Sequence, residues 1–269
     1  MKRLSVFLLA ALLAGGILYA QAGVEPVPAF TARVVGLQVA TRIPGDDMMM
    51  QPFHSSAGVA LCVLVRSTGK SIVAFDGDAS RLDLLQDDRG TDLKAGSADS
   101  YQPTFGFPQI SQDGKSVLFE LRGNGLPAPE GNRIRAQGTA VLKVGTALDT
   151  ARQMNVPLTK GTKIMAGPVP FTIKDVTEGG PFGGAMTITL AADQSLDAIN
   201  EIRFEDANGT PIETQDAGTV TTTMMGRVSV EKQIGFAKKV DSATVAVKYW
   251  KGLETVRVPL KLDVGLSLQ

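Results

Sequence analysis

Cysteine is almost absent from this chain. Its 269 residues include a single cysteine, Cys62, so no disulfide can form within the molecule and its stability has to come from burial of apolar side chains. A β-sandwich of about 100 residues buries enough surface to fold without cross-links. Cys62 lies between Leu61 and Val63, a position typical of a buried and chemically inert thiol.

Histidine is equally scarce, which limits the catalytic sites the chain could build. His54 is the only histidine, so a Ser-His-Asp triad or a histidine-based zinc site would have to use it. The sequence contains neither a Gly-x-Ser-x-Gly nucleophile motif nor a CxxC pair. We therefore expect a non-catalytic protein. The alternative is an enzyme whose site is formed by carboxylates at a domain interface.

An excess of charge of either sign is also missing. Lys plus Arg and Asp plus Glu both number 27, and two of the cations, Lys2 and Arg3, lie in a segment that we expect to be removed. The mature chain is then slightly acidic, and it has no basic field that would attract a nucleic-acid backbone. We expect no nucleic acid among its partners.

The N-terminal segment has the three parts of a signal peptide. Lys2 and Arg3 precede an apolar run over residues 6–18, and Ala20-Gln21-Ala22 forms a small-x-small cleavage site. We expect residues 1–22 to be removed, so that the mature chain begins at Gly23 and is secreted or periplasmic. The absence of a cysteine at this site excludes a lipidated anchor. An uncleaved signal anchor is the alternative, because the run is nearly long enough to span a bilayer.

The rest of the sequence is typical of strands and turns. Val, Thr and Leu recur in alternation between turns rich in Gly, Asn, Asp and Pro. Residues 57–67, AGVALCVLVRS, are apolar on both faces of a strand, as at the centre of a sandwich. The sequence therefore predicts an all-β protein in which this strand has partners on both sides.

The pattern of strands and turns occurs twice. The Pro-containing segment 166–170 begins the second of two parts, residues 23–165 and residues 166–269. Three short motifs recur in the same order in the two parts. The matched segments are 87–91 with 206–210, 141–143 with 245–248, and 156–158 with 258–260. The repeat predicts two tandem sandwich domains, with a long loop inserted in the first over residues 94–111.

These features resemble the immunoglobulin-like sandwich domains of secreted bacterial proteins. About seven short strands, frequent turns and a length of about 100 residues match that family. The family's inter-sheet disulfide is impossible here, and Trp250 is not on a third strand. The resemblance is architectural and implies no specific activity.

A soft-metal site is one candidate function. Met48, Met49, Met50 and His54 lie in one Pro-containing loop, and thioether and imidazole ligands favour Cu(I). Alternate residues of an extended chain point to opposite sides, so at most two of the three methionines can point the same way. The competing interpretation is that these methionines pack the loop onto the sandwich.

A calcium site is a second candidate. Asp76, Asp78, Asp83 and Asp87 could surround a Ca²⁺ ion between neighbouring turns, although their spacing does not fit the EF-hand loop. Solvated turn aspartates are the competing interpretation.

Aromatic residues in the inserted loop give a third candidate. Tyr101, Phe105 and Phe107 could form an exposed patch for a partner or could cap one end of the sandwich. The sequence thus predicts an exported, non-catalytic binding or structural module that contacts a protein or glycan of the cell envelope through loops 94–111 and 123–132.

Overall fold

The computed structural model of the chain describes residues 29–41, 57–94, 104–179 and 184–266. All regular structure in these residues is β-strand, which confirms the all-β prediction. No helix in this part of the chain is long and apolar enough to cross a membrane. The strands are β1 (Phe30–Ala40), β2 (Gly58–Ser67), β3 (Ser71–Asp87), β4 (Phe105–Ile110), β5 (Ser116–Gly123), β6 (Arg133–Gly145), β7 (Ala147–Pro157), β8 (Lys163–Ile164), β9 (Phe171–Glu178), β10 (Met186–Ala192), β11 (Ile199–Glu205), β12 (Thr214–Met224), β13 (Arg227–Phe236), β14 (Ser242–Lys251) and β15 (Glu254–Gly265).

Strand β2 corresponds to the apolar segment singled out in the sequence. It pairs antiparallel with β1 on one side and β5 on the other, as predicted. One of its faces is fully buried and the other is half-buried, the buried face being Val59, Leu61, Val63 and Val65. The alternation follows from strand geometry, in which successive side chains point to opposite faces.

The strands form four antiparallel sheets around two hydrophobic cores. The sheets β1-β2-β5-β4 and β15-β6-β3 contribute to one cluster of buried side chains. The sheets β12-β13-β10-β9-β8 and β11-β14-β7 contribute to the other. We call the first pair of sheets the first unit and the second pair the second unit.

The two units have the same strand order. If β9–β14 are matched to β1–β6, the sheet β1-β2-β5-β4 corresponds to β9-β10-β13-β12. The sheet β15-β6-β3 then corresponds to β7-β14-β11, and the two-residue strand β8 is an addition at one edge. Strand β7 therefore occupies in the second unit the place that β15 occupies in the first.

The strands β7 and β15 do not pair with the strands that precede them in the chain. Only Thr146 separates β6 from β7, yet β6 pairs with β15 and β7 pairs with β14. The register is the same on both sides of the junction, where Val144 lies opposite Glu254 and Ala147 opposite Lys251. Strands β6 and β7 thus form one side of a two-stranded ribbon, and β14 and β15 form the other, so that the ribbon runs through both units.

This pairing differs from what the sequence suggested. A boundary between residues 165 and 166 would assign β7 to the first unit and β15 to the second, whereas the pairing assigns them the other way round. A glycine between two strand-like segments usually indicates a turn, but Gly145 is the last residue of β6. A Cβ atom on Gly145 would lie 3.0 Å from the Cβ atom of Trp250. The glycine therefore permits the close approach of the opposite strand and makes no turn.

Two segments predicted as a loop and a turn also contain strand. Residues 105–110, in the predicted insertion 94–111, form the edge strand β4, while residues 95–103 lie outside the described part. The predicted turn at residues 76–78 lies inside β3, at a register shift between Asp76 and Arg81. The turn residues there produce a bulge within a longer strand.

Candidate functional site

A cleft of about 460 Å³ lies in the first unit beside the bulge of β3, where β4 begins and β5 ends. Loop 94–111 borders it through Lys94, Thr104 and Phe105, and loop 123–132 borders it through Gly123 and Asn124. The two loops that the sequence predicted to make contacts therefore meet at one cleft. The bulge of β3 and strand β5 complete its walls with Gly77, Asp78, Ser80, Arg81, Leu82 and Arg122.

Phe105 belongs mainly to the core. It is 7% exposed, and its ring centroid lies 6.2 Å from that of Phe75 and 6.0 Å from that of Phe119. Of the two predicted alternatives for this side chain, the structure shows the packed one, so Phe105 is not part of an exposed aromatic patch.

Phe107 is the exposed aromatic residue of β4. It is 57% exposed and has a positive φ of 52°, at a register shift between Gly106 and Gln109. A positive φ is an uncommon and costly conformation for a bulky residue, and such strain often marks functional positions. The bulge turns this ring outward, which agrees with the exposed alternative for Phe107.

The ring of Phe107 is held by a neighbouring cation. The guanidinium carbon of Arg122 lies 5.3 Å from the ring centroid, within the range of a cation–π contact. Arg122 Nε donates a hydrogen bond of 2.8 Å to the carboxylate of Glu120 two residues earlier on β5. The carboxylate thus fixes the guanidinium, which covers part of the ring and leaves the rest of it exposed.

The cations that line the cleft already have partners. Arg81 Nε lies 2.6 Å from the carboxylate of Asp83, and Lys94 Nζ donates a hydrogen bond of 2.7 Å to the main-chain carbonyl of Asp83. Arg122 is paired with Glu120 as described above. The walls are therefore polar and nearly balanced in charge, which suits a polar ligand better than a strongly charged one.

The four aspartates of the candidate calcium site do not form a cage. No group of three or more His, Cys, Asp or Glu side chains in the described residues is arranged to hold a metal ion. Asp83 pairs with Arg81, and Asp76 Oδ1 accepts a hydrogen bond of 2.9 Å from the main-chain N–H of Ala79. Asp78 borders the cleft instead. The calcium prediction gains no support from this geometry.

Asp87 has a structural role. It is fully buried, its Oδ1 accepts hydrogen bonds from the N–H groups of Arg89 and Thr91, and its Oδ2 accepts one from Ala128. Burial opposes ionisation, but the three N–H donors outweigh it and hold the pKa of Asp87 below its ordinary value. The carboxylate therefore attaches loop 123–132 to the end of β3.

Asp206 forms the equivalent turn in the second unit. Its Oδ1 accepts hydrogen bonds of 2.8 Å from the N–H groups of Asn208 and Thr210. The main chains agree as well, because Asp87 N–H donates to the carbonyl of Thr91 and Asp206 N–H donates to that of Thr210. The sequence match between these two turns is thus also a match in hydrogen bonding.

Several predicted residues lie outside the described part of the chain. These are the candidate copper ligands Met48, Met49, Met50 and His54, and the aromatic residue Tyr101. The copper site therefore stays a prediction.

Cys62 is half-buried on the outer face of β2 opposite Glu120, and burial raises the pKa of its thiol, with a further rise from the charge of Glu120.

A second cleft, of about 350 Å³, lies where the two units meet. Its carboxylates are Asp197, which is paired with Lys143 across the junction, and Glu254, which is paired with Lys70. Each acid has a lysine partner, and no pair of acids shares a proton in the way that acid–base catalysis by carboxylates often requires. The interface enzyme stays an untested alternative with no geometric support in the described residues.

Sequence reasoning missed the cationic residues of the first cleft. Arg81, Lys94 and Arg122 were not singled out, although Glu120 and Arg122 at alternate positions of one strand indicate an ion pair on one face.

The site has to be interpreted from its own geometry, because no protein-family model, no curated protein and no solved structure matches the chain.

Proposed function

We propose that this protein is an exported, non-catalytic binding module of the cell envelope, and that it binds a polar ligand, part of a glycan or of an extended protein segment, in the cleft of the first unit. The observation that carries the proposal is that loops 94–111 and 123–132 border the same 460 Å³ cleft together with the bulge of β3. Clefts of this size are within the range of small-ligand sites.

The chemistry of the cleft supports a polar ligand of this kind. Thr104 borders the cleft, and Arg81 and Lys94 add exposed cations. Phe107, fixed next to Arg122, adds a flat apolar surface close to the cleft. Polar groups that converge beside an apolar surface fix the orientation of a bound molecule.

We further propose that each unit is an immunoglobulin-like sandwich. Such a domain has one sheet of strands A, B, E and D and another of strands C, F and G. If β1–β6 are strands A–F and β15 is strand G, the first unit has these two sheets. The second unit has them as well, with β9–β14 as strands A–F and β7 as strand G.

A duplication followed by strand exchange explains this arrangement. The paired turns at Asp87 and Asp206 make the same hydrogen bonds. The Val-Pro-Leu motif occurs at residues 156–158, at the end of β7, and at residues 258–260 in β15. We infer that the two repeats exchange their last strands, so that each unit is completed by the strand of the other.

Binding is tested with the purified chain and a panel of soluble oligosaccharides and extended peptides, followed by amide chemical shifts. We expect a ligand to perturb Thr104, Gly123 and Asn124, and Phe107→Ala to weaken its binding by at least about tenfold. The matched control is Leu148→Ala, which removes an exposed apolar side chain of the second unit. A panel without any binder, or equal affinities of the two variants, would overturn the proposed site.

Export is tested separately by N-terminal sequencing of the chain recovered from the periplasm or the medium. Gly23 is the expected first residue. A chain that retains residues 1–22 would contradict cleavage, and a chain found only in the cytoplasm would contradict export.

A further inference from the structure

Strands β6 and β15 place most of their charged side chains on one face of the first unit, although the charges of the whole chain are balanced. The side chains at even residue numbers, such as Ile134 and Leu260, belong to the core. Those at odd numbers point outward, because successive residues of a strand point to opposite faces. The outward charged residues are five cations and one acid, namely Arg133, Arg135, Lys143, Arg257, Lys261 and Asp263. We call this surface the basic face.

The pairing of the two strands assembles the basic face from distant parts of the chain. Strands β6 and β15 pair antiparallel along their whole length, although more than 100 residues separate them in the sequence. Arg257 lies opposite Val141 and Lys261 opposite Gln137, so neither cation has an acid directly across the pair. At about 3.3 Å per residue, the cations form a row roughly 30 Å long on a sheet surface.

Acidic side chains neutralise only part of this row. The carboxylate of Asp263 lies 2.8 Å from Arg133 and 3.8 Å from Arg135, so one acid is shared by two guanidinium groups. Arg257 and Lys261 form no ion pair with any described residue, and both are exposed. An exposed cation without a partner is available to an anion from solution.

The neighbouring elements reduce the positive excess without removing it. Lys143, at the junction end of the row, is paired with Asp197 of the second unit. Strand β3, on the other side of β6, adds the paired charges of Arg81 and Asp83 and the carboxylate of Asp76. The remaining positive charge therefore lies along β15 and at the end of β6 away from the junction.

We propose that the basic face binds an acidic polysaccharide, an extended chain that carries carboxylate or sulfate groups on many of its sugars. A row of cations on a sheet surface is complementary to a row of anions on such a chain, and a field of one sign raises the local concentration of the opposite charge. The proposed face is separate from the cleft of the first unit. It rests on the proposed function only through export, which would bring the chain to the polysaccharides of the envelope.

The basic face lacks the side chains that other polyanions use. Single-stranded nucleic acids stack their bases on aromatic side chains, and membrane surfaces are bound through apolar side chains as well as through charge. The outward positions of β6 and β15 hold no aromatic residue, and their aliphatic residue Val141 is 2% exposed. Charge complementarity is therefore the main feature that this surface offers to a partner, which favours a polysaccharide.

The proposal is tested by titrating labelled polygalacturonate with the purified chain, with uncharged dextran as the control polymer. We expect binding at about 20 mM salt that weakens at least about tenfold at about 200 mM, because salt screens exposed charges. The double variant Arg257→Ala/Lys261→Ala should weaken binding at low salt by about tenfold, since it removes the two unpaired cations. Dextran should not bind.

Matched variants separate the basic face from the net charge of the protein. Lys163→Ala/Lys238→Ala removes the same charge from exposed positions of the second unit and should bind like the wild type. Asp263→Asn removes the acid of the basic face and should tighten binding about threefold. Bound polygalacturonate should shift the amide signals of β6 and β15, and Phe107→Ala should leave its affinity unchanged.

Four results would overturn the proposal. They are a wild-type chain that does not bind polygalacturonate at low salt, equal weakening by the two alanine pairs, weaker binding by Asp263→Asn, and tighter binding of single-stranded DNA or of anionic phospholipid vesicles. Amide shifts confined to Thr104, Gly123 and Asn124 would instead assign the polysaccharide to the cleft, which would support the proposed function and reject the basic face. Thermal unfolding of each variant checks that these exposed substitutions leave the fold intact.

Discussion

The exchange of β7 and β15 between the units can be tested with two matched cavity-forming substitutions. Leu260 in β15 is buried in the first core, and Leu158, directly after β7, is buried in the second. Both leucines end a Val-Pro-Leu motif. The substitutions Leu260→Ala and Leu158→Ala therefore remove the same atoms at matching places of the two units.

The expected size of the effect follows from the burial of these side chains. Truncation of a fully buried leucine to alanine costs about 2–5 kcal/mol of unfolding free energy. Since about 1.4 kcal/mol corresponds to a factor of ten, amides that open with the affected unit should exchange roughly 30-fold to several thousand-fold faster. Leu260→Ala should accelerate exchange in β2 and β5, and Leu158→Ala should do so in β10 and β13.

The assay is native-state amide hydrogen exchange, read strand by strand, with far-ultraviolet circular dichroism to confirm that both variants are folded. The strand exchange would be refuted if Leu260→Ala accelerated hydrogen exchange only in the second unit and Leu158→Ala only in the first. That result would mean that β7 pairs with β6 and β15 with β14, as two ordinary hairpins.

Single contacts elsewhere give three more expectations. Asp87→Asn should lower the unfolding free energy by about 2–4 kcal/mol at neutral pH and Asp206→Asn by less, because Asp87 accepts three main-chain hydrogen bonds and is buried. The folded state lowers the pKa of Asp87. The contribution of this carboxylate to the free energy of unfolding is therefore complete above the ordinary carboxyl pKa of about 4 and is lost as the pH falls through the lower folded value. Urea unfolding curves of wild type and Asp87→Asn that stay equally far apart in acid would contradict this. Met225→Asn should raise stability by about 1 kcal/mol, since asparagine tolerates the positive φ of this turn, and a loss of stability would argue against strain. Gly145→Ala should lower the melting temperature and change the fluorescence of Trp250, because the added methyl group would lie 3.0 Å from the Cβ atom of Trp250; an unchanged melting curve would show that the strands can separate there at no cost.

Local features of the fold were predictable from the sequence. The segment around Cys62 is a strand with partners on both sides, and the Asp-x-x-Gly-Thr segments after β3 and β11 are turns. These features depend on side-chain alternation and on aspartates that bond to nearby N–H groups, which are properties of a few consecutive residues.

The pairing of β7 and β15 was not predictable in this way. A hairpin between β6 and β7 and an exchange with β14 use the same strands and the same inward-facing side chains, so hydrophobic pattern does not distinguish them. Gly145 even favoured the wrong choice, since a glycine between two strands usually marks a turn. Its actual role depends on Trp250, more than 100 residues away along the chain.

The candidate site was predictable in part. The two loops expected to make contacts both border the first cleft, and whether they contact a partner stays a prediction. Phe105 and Phe107 are two residues apart, so a regular strand would point both rings to the same face. The register shift after Gly106 separates them and leaves one ring in the core and the other beside Arg122. A bulge of this kind depends on the partner strand, which the sequence of β4 alone does not contain.

The pairing of β15 with β6 also determines the order in which the two cores can be completed. All strands of the second unit lie within residues 147–251, whereas the first unit needs β15, the last strand of the described chain. The core of the first unit therefore cannot close until β15 is available, because Val258, Leu260 and Leu262 form part of it. A chain that ends at Leu253 should keep slow amide exchange in β10 and β13 and lose it in β2 and β5. The opposite pattern would mean that the first unit is complete without β15, and the exchanged arrangement would then have to be abandoned.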